Sequence, residues 1–430
     1  MDLKETDLTL ATLGKFESRN VTFVEADGSW PIVWERARGM YVWDVAGKRY
    51  LDLTAAFGVA AAGHANAAVV RAGQRQMKRL LHAMGDVHPH PLKAELVRRL
   101  SELTFERWTE GREWGRTILG SSGFEAVEAG LKTAVLATGR AGVISFAGGY
   151  HGLGYGALNV THREHFHGPF RGQLRRFSKV VEWPEDGEDL AVCEAAVRKL
   201  ARTKKFGAVL AESIQGRGGI RIPPDGFLKM LRRVCDEFGI LLILDEVFTG
   251  FGRTGTLFAC EAERVVPDVI CLGKALTGGF PLSACVGRAA VMDRAWAPSQ
   301  GEAIHTSTFL GHPVGCAMAL AEIQEVLKVA KDVSKRGEFL LRELEKLTAP
   351  KNHSMSIRGR GLMAGLELKN AKGKPATELA IGFIKSMLHR GFILLPEGER
   401  SNVISFTPPL IISERQISAA IRALGEEFAK

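Results

Sequence analysis

Two carboxylates close the apolar run Ile240-Leu-Leu-Ile-Leu-Asp245-Glu246. Twenty-nine residues after Asp245, a lysine, Lys274, follows Gly273 at the end of a second apolar run, Val269-Ile-Cys-Leu. Open α/β sheets bind ligands at the carboxyl ends of their strands, so acids and a lysine at these positions face a potential site. A lysine in apolar surroundings loses its preference for the ammonium form, which frees the amine to attack a carbonyl. That combination suits pyridoxal phosphate: the lysine holds the aldehyde as a Schiff base, and the acid pairs with the ring nitrogen and keeps it protonated. Taken singly, each residue has a plainer reading, an acidic turn after a strand for Asp245 and a snorkelling lysine at a strand end for Lys274. The acidic pair also resembles the Walker B element of a nucleotide hydrolase. That chemistry needs a Gly-x-x-x-x-Gly-Lys-Ser/Thr loop, and the Gly-Lys pairs beginning at Gly14, Gly47, Gly273 and Gly373 all have the wrong flanks.

A phosphate needs a cradle, and Leu119-Gly-Ser-Ser122-Gly123-Phe124-Glu-Ala-Val-Glu supplies small residues where a strand turns into a helix. Backbone N–H groups and the helix dipole favour a dianion there, although many such turns are only turns. A flat ring needs an apolar partner, and Gly148-Gly-Tyr150-His151-Gly152 offers an aromatic between glycines. In isolation that segment reads as an ordinary aromatic turn.

The elements that must position these residues follow from periodicity. Seven short apolar runs, Thr117–Leu119, Val143–Phe146, Val180-Val181, Ala208–Ala211, Ile240–Leu244, Val269–Leu272 and Ala284–Val286, are interleaved with helical patterns such as 125–138, 189–203 and 226–238. This alternation predicts an α/β fold with a mostly parallel sheet covered on both faces. The last ~110 residues read as α+β. They comprise a helix over about 313–347, a Gly-rich strand-like stretch over 357–368, a helix over about 376–390, and a final helix opened by the capping box Ser413-x-x-Gln416. Two strand signals joined by Ala46-Gly47 lie in the first 65 residues and are candidates to pair with the C-terminal region. The expected division is therefore 1–65, 66–315 and 316–430.

A length of 430 residues exceeds what one hydrophobic core supports, which agrees with more than one packed region. With 46% hydrophobic and 24% charged residues the composition is that of a globular protein, and no apolar run is long enough to cross a membrane. The N-terminal Met-Asp-Leu-Lys-Glu-Thr-Asp has no apolar core, so no secretion signal is expected. Six scattered cysteines without a Cys-x-x-Cys pair argue against a zinc site or a disulfide framework and fit a reducing cytoplasm. The net charge of +9 is spread thinly, which argues against nucleic-acid binding.

Together these segments resemble the class III, or ω-, aminotransferases of the fold-type I pyridoxal phosphate enzymes, from Gly39-Met-Tyr-Val-Trp-Asp to Phe406-Thr-Pro-Pro-Leu. The most specific segment is Leu244-Asp-Glu-Val-Phe-Thr-Gly-Phe-Gly-Arg-Thr-Gly255, with Pro267-Asp to Gly273-Lys274 after it. The resemblance implies a large domain with a seven-stranded, mostly parallel sheet and a smaller α+β domain. It implies transfer of an amino group from a primary amine or ω-amino acid to a small 2-oxo acid, through a Lys274 Schiff base and pyridoxamine phosphate. By the same resemblance Lys274 also moves the proton, Asp245 faces the pyridinium nitrogen, and Val247 packs on the ring opposite Tyr150. Ser122, Gly123 and Phe124 match the phosphate turn, with His151 beside it in the cofactor site. Glu212 supports the Asp245 region. Thr308 matches a threonine that reaches the phosphate from a neighbouring subunit, which implies a homodimer with shared active sites. Aminomutases, racemases and decarboxylating transaminases of the same fold remain alternatives, whereas a non-enzymatic scaffold runs against an intact lysine, acid and cradle.

Several positions depart from the family pattern. The ornithine and 4-aminobutyrate enzymes pair a glutamate near the Gln-Gly position with an arginine just before the Pro-Pro-Leu segment. Here those positions read Arg217 and Ser405, so the switch is expected to be absent. Either Arg217 takes over carboxylate binding or the acceptor is held differently. Phe57, where the ornithine enzyme has tyrosine, disfavours ornithine; Phe248 replaces a glutamine and His312 an asparagine. The histidines of His162-Arg-Glu-His-Phe-His167 fall where the family has a solvent-facing loop without metal, and Gly85–Pro91 reads as a loop at the pocket mouth.

Overall fold

The structure is a computed structural model that describes residues 3–25 and 28–430. Near the N-terminus, β1 (Trp34–Arg38), β2 (Tyr41–Asp44) and β3 (Arg49–Asp52) form an antiparallel meander. Its second turn is closed by Asp44, whose carboxylate accepts from the Lys48 N–H at 2.9 Å, with Gly47 at φ +79°. β1 was not among the expected strands, because Trp-Glu-Arg-Ala-Arg lies largely exposed and lacks an alternating apolar face.

The central sheet contains β4 (Gly115–Gly120), β5 (Gly142–Phe146), β6 (Ser178–Val181), β7 (Phe206–Glu212), β8 (Leu241–Asp245), β9 (Val269–Leu272) and β10 (Ser283–Arg288). Its seven strands lie in the order β4-β10-β9-β8-β7-β5-β6. All run parallel except β10, which is antiparallel to both of its neighbours. The unbroken apolar run of β8 has a direct physical cause. Leu242 and Leu244 pack on one face with Phe227 and Leu231, while Leu241 and Ile243 pack on the other with Val127 and Leu131. Each such side chain contributes about 1.5–3 kcal/mol by burial. The covering helices Gly123–Thr138 and Phe227–Phe238 stop at Gly139 and Gly239, both left-handed, the conformation in which glycine alone carries no side-chain penalty.

Toward the C-terminus come β11 (His353–Arg360), β12 (Met363–Asn370), β13 (Phe392–Ile393), β14 (Leu395–Glu397) and β15 (Val403–Phe406). Four of them form a sheet in the order β11-β12-β15-β14. β13 instead pairs in parallel with β3, Phe392 opposite Leu51, which joins the N-terminal meander to the C-terminal region. The helix expected over 313–347 is two helices, Pro313–Ala330 and Val333–Glu345. The break at Lys331-Asp332 carries no glycine or proline to announce it. The last helix, Glu414–Phe428, starts from the Ser413/Gln416 capping box. Among the described residues no helix is long and apolar enough to cross a membrane.

Candidate active site

The carboxyl ends of β4, β5, β7, β8 and β9 converge on a cavity of about 430 Å³ lined by Gly123, Phe124, Tyr150, His151, Glu212, Arg217, Asp245, Val247, Phe248 and Lys274, among others. Each side chain arrives because a strand ends beside it. β8 delivers Asp245 and β7 delivers Glu212, the two standing opposite each other in the ladder. Asp245 is 6% exposed; its Oδ2 lies 2.8 Å from Nδ1 of the buried His151, and its Oδ1 accepts from the Val247 N–H at 3.1 Å. Burial disfavours the charge on His151, but the hydrogen bond to Asp245 and the charges of Asp245 and Glu212 outweigh it, so its pKa is raised. Glu212 accepts from the N–H groups of Tyr150 and Gly216, each at 3.1 Å. Burial pushes it up to about 7.

Lys274 follows β9 with backbone φ +44°, a left-handed conformation that strains a residue with a side chain. Its Nζ sits 4.0 Å from the centre of the Phe248 ring. Burial lowers its pKa against the opposing pull of Asp245, Glu212 and Glu397. A buried amine whose charge is disfavoured, beside a histidine-bridged carboxylate, is equipped to act as a nucleophile and to carry a proton. Phe248 is held in place by two glycines: a Cβ at Gly216 or Gly58 would lie 2.3 Å or 2.5 Å from its ring.

At the other end of the cavity the helix Gly123–Thr138 begins. Glu125 accepts from the N–H of Ser121 and, at 3.3 Å, from that of Ser122. Ser122 Oγ is buried without a hydrogen-bond partner among the described residues. A Cβ at Gly123 would come within 2.9 Å of Val247, so only glycine lets the turn approach the cavity wall.

The family model "Aminotransferase class-III" matches residues 23–427. The chain belongs to the class III aminotransferases. It is 35% identical over 399 residues to the acetylornithine aminotransferase of Methanosarcina mazei, covering 92% of each chain. It is 35% identical over 408 residues to the 5-aminovalerate aminotransferase of Pseudomonas aeruginosa, covering 93% of each. A Bacillus anthracis aminotransferase superposes with a TM-score of 0.90 at 25% identity, over 100% of this chain and 99% of that one. An amine transaminase from an uncultivated Pseudomonas species gives 0.86 at 28% identity, over 96% and 98%. The fold is that of the fold-type I transaminases, and the cofactor of this aminotransferase is pyridoxal 5'-phosphate. The residues fit it: an unpartnered serine hydroxyl and a glycine turn at a helix N-terminus suit a phosphate, and a buried amine and a carboxylate lie in the same cavity.

The family's acid–arginine switch is absent at its own positions, as Arg217 and Ser405 indicate, but Arg217 meets another acid: its Nε faces Glu397 Oε2 at 3.6 Å. The charges have exchanged sides, with the cation on the segment after β7 and the acid at the end of β14. Ser405 is buried and donates to the Leu395 carbonyl at 3.0 Å. The Gly398 N–H donates to the Arg217 carbonyl at 3.2 Å, and Arg358 donates to the carbonyls of Gly219 and Ile220. Sequence reading missed Glu397, because Pro396-Glu397-Gly398 reads as a turn.

Gly85–Pro91 is also more built than a loop at the pocket mouth. His90 is buried, caps the helix Pro91–Ser101 and bonds to the Gly311 carbonyl at 2.7 Å. Glu246, next to Asp245, points away from the cavity and accepts from Ala259 N, Cys260 N and Ser213 Oγ. Phe57 and Thr308 do not line the cavity of the single chain, and both are exposed.

Proposed function

We propose that this aminotransferase moves an amino group from a primary amine or ω-amino acid to a small 2-oxo acid. The observation that carries this reading is Lys274, a buried amine with its charge disfavoured, in one cavity with the His151-bridged Asp245. Pyridoxal phosphate supplies an aldehyde that amines attack and a ring that withdraws electrons. Lys274 would hold the cofactor through its amine, and that amine, when free, would take up and return a proton in the cavity. Asp245, kept in place by His151 and the Val247 N–H, would stabilise positive charge on the cofactor's ring nitrogen. Ser122, Gly123 and the Phe124 N–H would receive the phosphate, and Val247 and Tyr150 would offer apolar surface to the ring. Arg217 receives a substrate carboxylate.

The chain acts as a cytoplasmic homodimer with shared sites, in which Thr308 serves the neighbouring subunit. Six free, buried cysteines support the compartment. Exposed Leu81, Met84, Val87 and Phe309 support the dimer, with Phe309 5.4 Å from His82 on the segments that pack beside Thr308. The division into 1–65, 66–315 and 316–430 is part of the same reading, although its second boundary falls inside the helix Pro313–Ala330 and β13 pairs with β3 of the N-terminal meander.

The test is a panel of single donors added to the holoenzyme without acceptor, followed by the visible absorption of the lysine-bound cofactor. Bleaching by ω-amino acids, diamines or neutral amines, restored by a 2-oxo acid, is the expected result and identifies the donor class. Turnover of one substrate without any acceptor supports an aminomutase or racemase instead.

A further inference from the structure

Glu397 and Arg217 form a pair of an unusual kind. They are close enough to attract, at 3.6 Å, but not to hydrogen-bond, and both Arg217 Nε and Glu397 Oε2 are buried without a partner among the described residues. A buried donor and acceptor left unmade each cost more than a hydrogen bond contributes, so the pair is poised to exchange partners. Arg217 is one-third exposed and lines the cavity, whereas Glu397 is 5% exposed behind it. The Arg217 guanidinium also lies 5.7 Å from the Tyr150 ring centre, a second resting place for its charge. Resting on the reading that Arg217 receives a substrate carboxylate, we propose that Glu397 determines specificity between acidic and neutral substrates. It shields Arg217 until a substrate carboxylate displaces it, and it then takes up one proton from solvent.

The charges around Glu397 give the direction. Arg217 faces it from the segment after β7, Lys274 from the segment after β9, Arg163 from the segment before the helix Glu164–His167, and Tyr150 from the segment after β5. Glu399, two residues on, lies beside Arg163 and adds no compensating cation. Burial pushes the Glu397 carboxyl up to about 7 against the opposing pull of Arg217, Lys274 and Arg163. A substrate carboxylate on Arg217 cancels the largest of those pulls and places a second negative charge beside Glu397. Ionised Glu397 is then buried without its counter-charge, and protonation removes that penalty. Well below pH 7 the proton is already present and a carboxylate binds without uptake. Above pH 7 it must be acquired, so acidic ligands weaken about tenfold per pH unit while neutral ligands do not.

The experiment measures inhibition constants of pentanoate and its neutral isostere pentanamide on the holoenzyme from pH 6 to 9, with Glu397→Gln and Arg217→Ala alongside. The expected result is a pentanoate constant flat below about pH 7 and rising with a slope near one above it, and a pentanamide constant flat throughout. Glu397→Gln, with its cofactor absorption intact, abolishes the slope and binds pentanoate about tenfold more tightly than the wild type at pH 8. A slope that persists in Glu397→Gln, or a flat wild-type profile with pentanoate still lost in Arg217→Ala, overturns the role of Glu397 alone. Pentanoate binding undiminished in Arg217→Ala overturns the reading of Arg217 and the proposal with it. The wild-type comparison of the two ligands needs no variant.

Discussion

Glu212 and Asp245 are direct partners on the last rungs of the parallel strands β7 and β8. Two carboxylates so placed repel each other, and the structure treats them differently. Asp245 keeps His151 at 2.8 Å, while Glu212 is pushed up to about 7 by burial. A carboxyl group whose pKa rises on folding stabilises the native state at low pH, and that contribution fades as pH climbs from its unfolded value through the folded one. The Tm advantage of Glu212→Gln over the wild type should therefore grow between about pH 4.5 and 7 and level off above. Parallel thermal melts of the two proteins across that range check it, and a constant difference contradicts it.

Lys274 has no substitute in the cavity. Lys274→Ala should abolish transamination and the visible absorption of the bound cofactor while leaving the fold intact. Borohydride reduction of the wild-type holoenzyme should fix the cofactor on the peptide containing Lys274, as read by mass spectrometry, and on no other peptide.

Phe248 is wedged against Gly58 and Gly216 and lies under the Lys274 amine. Gly58→Ala should destabilise by about 1–3 kcal/mol, both because its Cβ meets the ring and because φ is +81°. Adding Phe248→Leu should recover the steric part and leave the backbone part. Denaturant melts of the two single variants and the double variant report a coupling of about 0.5–3 kcal/mol. Strict additivity would show that the ring and the glycine do not meet.

Arg217→Ala should raise KM for carboxylate-bearing substrates by an amount equivalent to about 1.5–3 kcal/mol, the scale of a hydrogen bond to a charged group, and spare neutral amines. Steady-state kinetics with a matched acidic and neutral donor test this. Equal effects on both would remove Arg217 from substrate binding.

The positions of Asp245 and Lys274 at strand ends were legible because each follows a run that is apolar on both faces. Leu241–Leu244 is apolar on both faces because helices cover both faces, so Asp245 stands out as the first polar residue; Lys274 stands out after Val269–Leu272 for the same reason. Glu397 gave no such signal. Its three-residue strand has neither period nor length, and its partner Arg217 lies far back in the chain, so only the meeting of two sheets brings them together. β1 stayed hidden because its residues pair with β2 without burying an apolar face. The break between Pro313–Ala330 and Val333–Glu345 is set by tertiary packing, which no turn residue records.

The exchanged charge pair joins two sheets with separate architecture. Asp245 and Glu212 are set by the backbone ladder of the central sheet, and Lys274 follows the end of β9 in a short turn. Glu397 hangs from β14, a short strand of another sheet. On the proposed reading, the arginine of the pair shares its support with Asp245 and Glu212, and only its acid partner stands on a different sheet. If Glu397 sets substrate preference as proposed, edits confined to the β14 edge would alter which molecules are accepted without touching the strands that carry Asp245 and Glu212.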